Sequence, residues 1–124
     1  MISRADQLVF IESPGGNSSA GDATPTLGSH EVSVIRQRQT PNGVNPDHTN
    51  DRDEVIYLLN GSLNVLVDEE CLFLNAGDAV RIPPRTQHRI ENAGDSMAEW
   101  LLIATAGVKF FRADGEEASP PWSR

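Results

Sequence analysis

The chain has 124 residues, 38% of them hydrophobic, which is enough for one compact core and too little for two. Acidic residues outnumber basic ones by 18 to 10, for a formal charge of -8, so the overall field repels phosphate backbones and anionic lipid surfaces; neither nucleic acid nor a membrane is an expected partner. The single cysteine, Cys71, cannot close an internal disulfide, and the opening MISRADQLVF lacks the apolar run of a signal peptide or membrane span, so a cytoplasmic location is expected.

In chain order, short stretches with strand character fall at residues 8–12, 31–39, 54–59, 62–68, 71–74, 79–82, 87–91, 98–104 and 109–112. Turn formers separate them: PGG at 14–16, PNG at 41–43, NG at 60–61, NAGD at 75–78, PP at 83–84 and NAGD at 92–95. No segment keeps a helical period over three turns. The pattern predicts an all-β chain folded as a single antiparallel barrel or sandwich. Residues 13–29 are rich in Gly, Ser, Pro, Ala and Thr and read as a mobile or surface-hugging segment. Residues 1–30 are therefore assigned to an N-terminal arm with one short strand, 31–112 to the barrel, and 113–124 to an irregular tail.

Side chains alternate between the faces of a strand, so burial can be read from neighbours. Arg89 and Glu91 belong in solvent, which turns His88 and Ile90 inward. In 54–59 one face carries Glu54, Ile56 and Leu58 and the other Val55, Tyr57 and Leu59. Both faces are largely apolar, so the outer one is expected to be covered by the N-terminal segment or by a second subunit, with a homodimer favoured. In VSVIRQRQ the register is open. If Val32 and Val34 face inward, Arg36 and Arg38 come with them and bind an anionic substrate; otherwise they form a solvent-facing stripe, and Gln37 or Gln39 lines the pocket.

Two blocks carry the chemistry. HTNDRDEVIYLLNG places His48, Asn50, Glu54 and Gly61 in the spacing H-x-N-x3-E-x6-G, and GDAVRIPPRTQHRIEN places Gly77, Pro83, Arg85, His88 and Asn92 in the spacing G-x5-P-x-R-x2-H-x3-N. These blocks closely resemble the two motifs of the cupin superfamily, G-x5-H-x-H-x3,4-E-x6-G and G-x5-P-x-G-x2-H-x3-N. Gly43 stands one residue too close to His48 for the first glycine. The resemblance spans residues 43–92 and implies the double-stranded β-helix, or jelly roll, of small single-domain bacterial cupins. It also implies that His48, Glu54 and His88 point into the barrel and bind a divalent metal ion, one of Fe, Mn, Zn, Ni or Cu.

Asn50 stands where the resemblance implies a second histidine. Its neutral amide oxygen is a weak metal ligand, better suited to a bound water or a substrate. What remains is a set of two histidines and one carboxylate, as in non-haem Fe(II) oxygenases and some zinc hydrolases, with positions left open for substrate. Glu54 serves as ligand or, with no cation beside it, as general base. Arg85 replaces a motif glycine, which is acceptable only if its backbone avoids positive φ; its guanidinium either grips a substrate carboxylate at the barrel mouth or sits on the surface.

Trp100 is a packing residue or reaches the pocket as a substrate contact. Leu58 and Ile90 are expected on the pocket wall, and Phe110 and Phe111 at the barrel end. His30 reads as a surface or capping histidine, and Cys71, after three acidic residues, is a poor nucleophile. The expected function is metal-assisted acid/base chemistry on a small, oxygen-rich organic molecule by an isomerase, cyclase or lyase. The alternatives are an Fe(II)- or Mn(II)-dependent dioxygenase and a non-catalytic binding protein.

Overall fold

The computed structural model describes residues 1–124 and consists of twelve strands joined mostly by short turns. They are β1 (Ile11–Ser13), β2 (Asn17–Ala23), β3 (Val32–Gln39), β4 (Val44–Asn50), β5 (Glu54–Asn60), β6 (Ser62–Val67), β7 (Glu70–Asn75), β8 (Ala79–Ile82), β9 (His88–Glu91), β10 (Ala98–Thr105), β11 (Phe110–Arg112) and β12 (Glu117–Ala118). Two antiparallel sheets of six strands result, in the orders β1-β2-β3-β10-β5-β8 and β12-β11-β4-β9-β6-β7. They close on each other as a jelly-roll barrel, the fold class expected from the turn punctuation and the motifs.

Alternation decides what fills the interior. Ile56 and Leu58 of β5, Leu63 and Val65 of β6, Ile82 of β8, Ile90 of β9 and Trp100 of β10 belong to one buried cluster. A second, made of Ile35, Leu102, Ala104, Val108 and Phe110, fills the other part of the barrel, with Ala118 and Trp122 packed on it. Two polar side chains tie the sheets together. Gln39 Nε2 donates to the Ile90 carbonyl at 3.2 Å, and Asn92 Nδ2 donates to the Gln39 carbonyl at 3.0 Å. The last residue of the second motif block is thus a structural clasp.

Three segments differ from expectation. Residues 17–23 form β2, paired along β3, although their sequence NSSAGDA is small and polar. The open edge of β3 supplies the hydrogen-bond partners, and small residues fit where they pack, Ser19 and Ala20 being buried. Residues 44–50 form β4, which has no apolar alternation to announce it. The tail is not irregular throughout: it contributes β12 and a 3-10 turn at Pro121–Ser123, with Trp122 against the Phe110 ring at 5.7 Å between centroids.

The N-terminal strands extend the edge of the first sheet and do not lie over the outer side of β5, where Tyr57 remains exposed. Between β5 and β6 a single residue turns the chain from one sheet to the other. Gly61 does so at φ 82°, where a Cβ would meet the Met97 carbonyl oxygen at 2.8 Å. Gly61→Ala should therefore lower the unfolding free energy by about 2 kcal/mol or more. Urea unfolding of the two proteins measures the difference; an unchanged midpoint contradicts the assignment.

Candidate metal centre

The site begins with a defect in a strand. Pro46 has no N–H to give to a ladder, and the pairing of β4 with β9 shifts register between Asn45 and His48. The free Pro46 carbonyl accepts from His48 Nδ1 at 2.9 Å. Beyond the bulge His48 stands opposite His88 of β9, their ring centroids 4.1 Å apart. His88 Nδ1 donates in turn to the Thr86 carbonyl at 2.9 Å. Since a carbonyl can only accept, Nδ1 carries hydrogen in both rings, and each Nε2 is the atom left for the site.

The turn at 51–53 carries the chain from the second sheet to the first, where Glu54 opens β5. Its Oε2 accepts hydrogen bonds from His88 Nε2, at 3.0 Å, and from Asn50 Nδ2. The carboxylate is only 1% exposed, the His88 side chain not at all. Burial lowers the affinity of His48 for a proton, and the neighbouring charge of His88 lowers it further, so its pKa falls below the ordinary 6.5. Burial acts on His88 in the same sense. There the hydrogen bond and charge of Glu54 outweigh it, and the pKa rises above 6.5.

The residues fit a divalent cation. One ligand atom from each of His48, Glu54 and His88 lies within 4.8 Å of the others. Two buried oxygens, Glu54 Oε1 and Asn50 Oδ1, have no hydrogen-bond donor, a costly condition that a cation relieves. Two imidazoles, a carboxylate and a weak amide oxygen suit the same first-row metals that the sequence suggests. Asn50 spends its amide nitrogen on Glu54, so its first role is to hold that carboxylate.

His48 and Glu54 reach a cavity of about 600 Å³, bordered also by Gln37, Ile90, Leu102, Phe110, Phe111 and Trp122. Of the four substrate contacts proposed besides Asn50, none lines it. Arg36 and Arg38 project from the outer face of β3, because Ser33, Ile35, Gln37 and Gln39 take the inner one. Burying hydrogen-bonded amides costs less than burying guanidinium ions. Arg36 pairs with Asp22 at 3.3 Å and with Glu99 at 3.4 Å, and Arg38 with Glu99 at 2.6 Å.

Arg85 is exposed and does adopt positive φ, 59°, against the sequence expectation. Its N–H donates to the Asn50 carbonyl at 2.7 Å, fastening the turn before His88 to β4 and offsetting a conformational cost of about 1 kcal/mol. Trp100 is buried in the core, and its indole N–H donates to Gln37 at 2.9 Å. Leu58 is core as well, while Ile90 and Phe111 do line the cavity. Asn45, Asp47, Arg112, Asp114 and Trp122 were missed. Only Trp122 left a signal, as a large apolar residue in an otherwise polar tail.

A family model for the cupin domain matches residues 35–104, and the chain belongs to the cupin family. An uncharacterized protein of Methanocaldococcus jannaschii is 40% identical over 43 residues, a stretch that makes up 35% of this chain and 34% of that protein. Solved structures share the fold at low identity. The polyketide cyclase RemF from Streptomyces resistomycificus superposes with a TM-score of 0.76 and 19% identity, over 87% of this chain and 82% of its own. KdgF from Halomonas sp. gives 0.76 and 16%, covering 92% and 96%. A cupin described as a sugar phosphate isomerase, from Silicibacter pomeroyi, gives 0.72 and 18%, covering 98% of each chain.

The two imidazoles should titrate on opposite sides of 6.5 in metal-free protein, His88 above and His48 below, as followed by NMR. The raised His88 value makes its stabilisation complete below pH 6.5 and lost as pH climbs through the folded-state pKa. The lowered His48 value makes stability fall as pH drops below 6.5. These groups therefore place a stability maximum near pH 6.5; a flat profile across that region in denaturant titrations would contradict the arrangement.

Proposed function

We propose that the chain is a metal-dependent cupin enzyme that moves a proton on a small, oxygen-rich organic molecule, in a reaction of the isomerase, cyclase or lyase type. The observation that carries this reading is the convergence of His48, Glu54 and His88, with Glu54 Oε1 unpartnered, beside a largely apolar cavity that His48 and Glu54 reach. The fold neighbours described as a cyclase and as an isomerase make such chemistry familiar on this scaffold.

His48 Nε2, His88 Nε2 and a Glu54 oxygen would hold the ion, which when bound polarises a carbonyl or enolate oxygen as a Lewis acid. The backbone carbonyls of Pro46 and Thr86 fix the two rings, so neither must reorient to bind. With His88 Nε2 given to the ion, Asn50 holds Glu54 Oε2 at the centre, which leaves Oε1 to take a proton from carbon beside a carbonyl and to return it at a second position. Ile90, Leu102 and Phe110 exclude water and keep the exchanged proton with the substrate.

We infer a homodimer as well, formed through the outer face of the first sheet. There Val32 and Tyr57 are exposed and Val34, Val55, Leu101 and Ile103 half-buried, an apolar strip across three neighbouring strands. Beside it Arg36 and Arg38 pair with Asp22 and Glu99, so a molecule of charge -8 presents a balanced surface to its own copy.

Elemental analysis of purified protein should find a stoichiometric divalent metal that is lost in a His48→Ala, His88→Ala double variant; equal, negligible metal in both would remove the metalloenzyme reading. With a substrate deuterated at the carbon that loses its proton, the label should be retained in the product, and Glu54→Gln should slow turnover by about two to four orders of magnitude. Oxygen consumption by Fe(II)-loaded protein would identify a dioxygenase instead. In sedimentation equilibrium the protein should have about twice its 13.5 kDa chain mass, and Tyr57→Asp should return it to the monomer. A monomeric parent protein would refute the dimer.

A further inference from the structure

Gln37 borders the cavity, and Trp100 does not, yet the two are joined. In the first sheet Ser19, Gln37 and Trp100 are cross-strand neighbours on β2, β3 and β10, in one row on the inner face. Trp100 Nε1–H donates to Gln37 Oε1 at 2.9 Å, and Gln37 Nε2 donates to Ser19 Oγ at 3.2 Å. An indole nitrogen can only donate, so the amide oxygen must face Trp100 and the amide nitrogen must face away from it. The usual ambiguity of a glutamine amide is removed by chemistry.

The Nε2 group carries two hydrogens, and Ser19 accepts one. The second has no protein acceptor, on a side chain that borders the cavity reaching His48 and Glu54. Turning the amide over would put two donors face to face, so the buried tryptophan prevents it.

We propose that Gln37 is a substrate-binding residue that donates a hydrogen bond to an oxygen of the bound molecule, with Trp100 as the positioning residue that keeps its N–H turned toward the cavity. The cavity then offers contacts to oxygen at the metal centre and at Gln37, and the rest of the molecule lies against Ile90, Leu102, Phe110, Phe111 and Trp122. These are flat or branched apolar surfaces. The single arginine on the wall, Arg112, is accompanied by the carboxylates of Asp47 and Asp114, so away from the metal centre the wall offers a phosphate no net positive charge. The substrate class is a planar, unsaturated hydroxycarbonyl, enol or phenol. This inference rests on the metal-centre reading above.

Salicylate, a planar ring with adjacent hydroxyl and carboxylate oxygens, is a suitable probe. Its affinity for zinc-loaded protein would be measured by calorimetry in four forms: the parent chain, Gln37→Met, Trp100→Phe and the double variant. Millimolar or tighter binding is expected for the parent, with Gln37→Met weaker by about tenfold or more, the effect of one hydrogen bond to a charged group. Trp100→Phe should also weaken it, by less, although residue 100 touches no ligand. The double variant should bind no worse than Gln37→Met, because the indole acts through the amide.

If Gln37→Met alone fails to fold, having left the indole N–H unpaired, the double variant removes both partners together and still lacks the donor. Affinity unaffected by loss of Gln37, or fully additive losses in the double variant, would overturn the proposal while leaving the metal centre standing. Binding that survives His48→Ala, His88→Ala unchanged would overturn the metal-centre reading and this inference with it. No binding to the parent chain at millimolar salicylate would overturn the substrate class.

Discussion

Glu54 is a carboxylate taken almost wholly out of water, and its burial constrains the barrel around it. An unpaired carboxylate in such a place is several kcal/mol unfavourable, so partners must be delivered from elsewhere in the chain. His88 comes from β9 and Asn50 from the end of β4, both in the sheet opposite the one that carries Glu54. The two sheets must therefore close in one register for the charge to be tolerated. The features that secure this register are local: the Pro46 bulge, the Arg85 turn fastened to the Asn50 carbonyl, and the Asn92 and Gln39 clasps.

The same constraint explains why the interior is not one continuous core. The cluster around Ile56 and Trp100 and the cluster around Leu102 and Phe110 meet the cavity from two sides, with Ile90 belonging to the first and Leu102 to the second. Apolar packing on both sides gives the polar centre rigid walls. It also keeps water away from a base that has to retain a proton. The C-terminal segment completes the wall through Trp122, so a part of the chain outside the matched domain region shapes what the cavity accepts.

Side-chain direction followed alternation wherever the pattern had contrast. His88 beside the charged pair Arg89 and Glu91, and Glu54 in line with Ile56 and Leu58, point inward as their sequence neighbours required. β3 had no such contrast, with valine and arginine on one face and isoleucine and glutamine on the other. Its register was settled by ion pairs with Asp22 and Glu99 and by hydrogen bonds to Ser19 and Trp100, which lie 14 to 63 residues away in the chain. β2 and β4 were illegible for a related reason: a paired edge and a bulge make them strands, and neither cause is local.

Turn punctuation and alternation were enough for the all-β class and the barrel of short strands, and the resemblance to the two cupin motifs marked His48, Glu54 and His88 as one set. Motif spacing and alternation are short-range properties, and these features depend on little else. Tertiary structure alone decided that Asn50 braces Glu54, that Arg36 and Arg38 lie outside the cavity, that Arg85 stands in a left-handed turn, and that Gln37 presents an N–H under the control of Trp100. Each of these depends on which distant group supplies the partner for a buried or charged atom. That choice is made only when the sheets close.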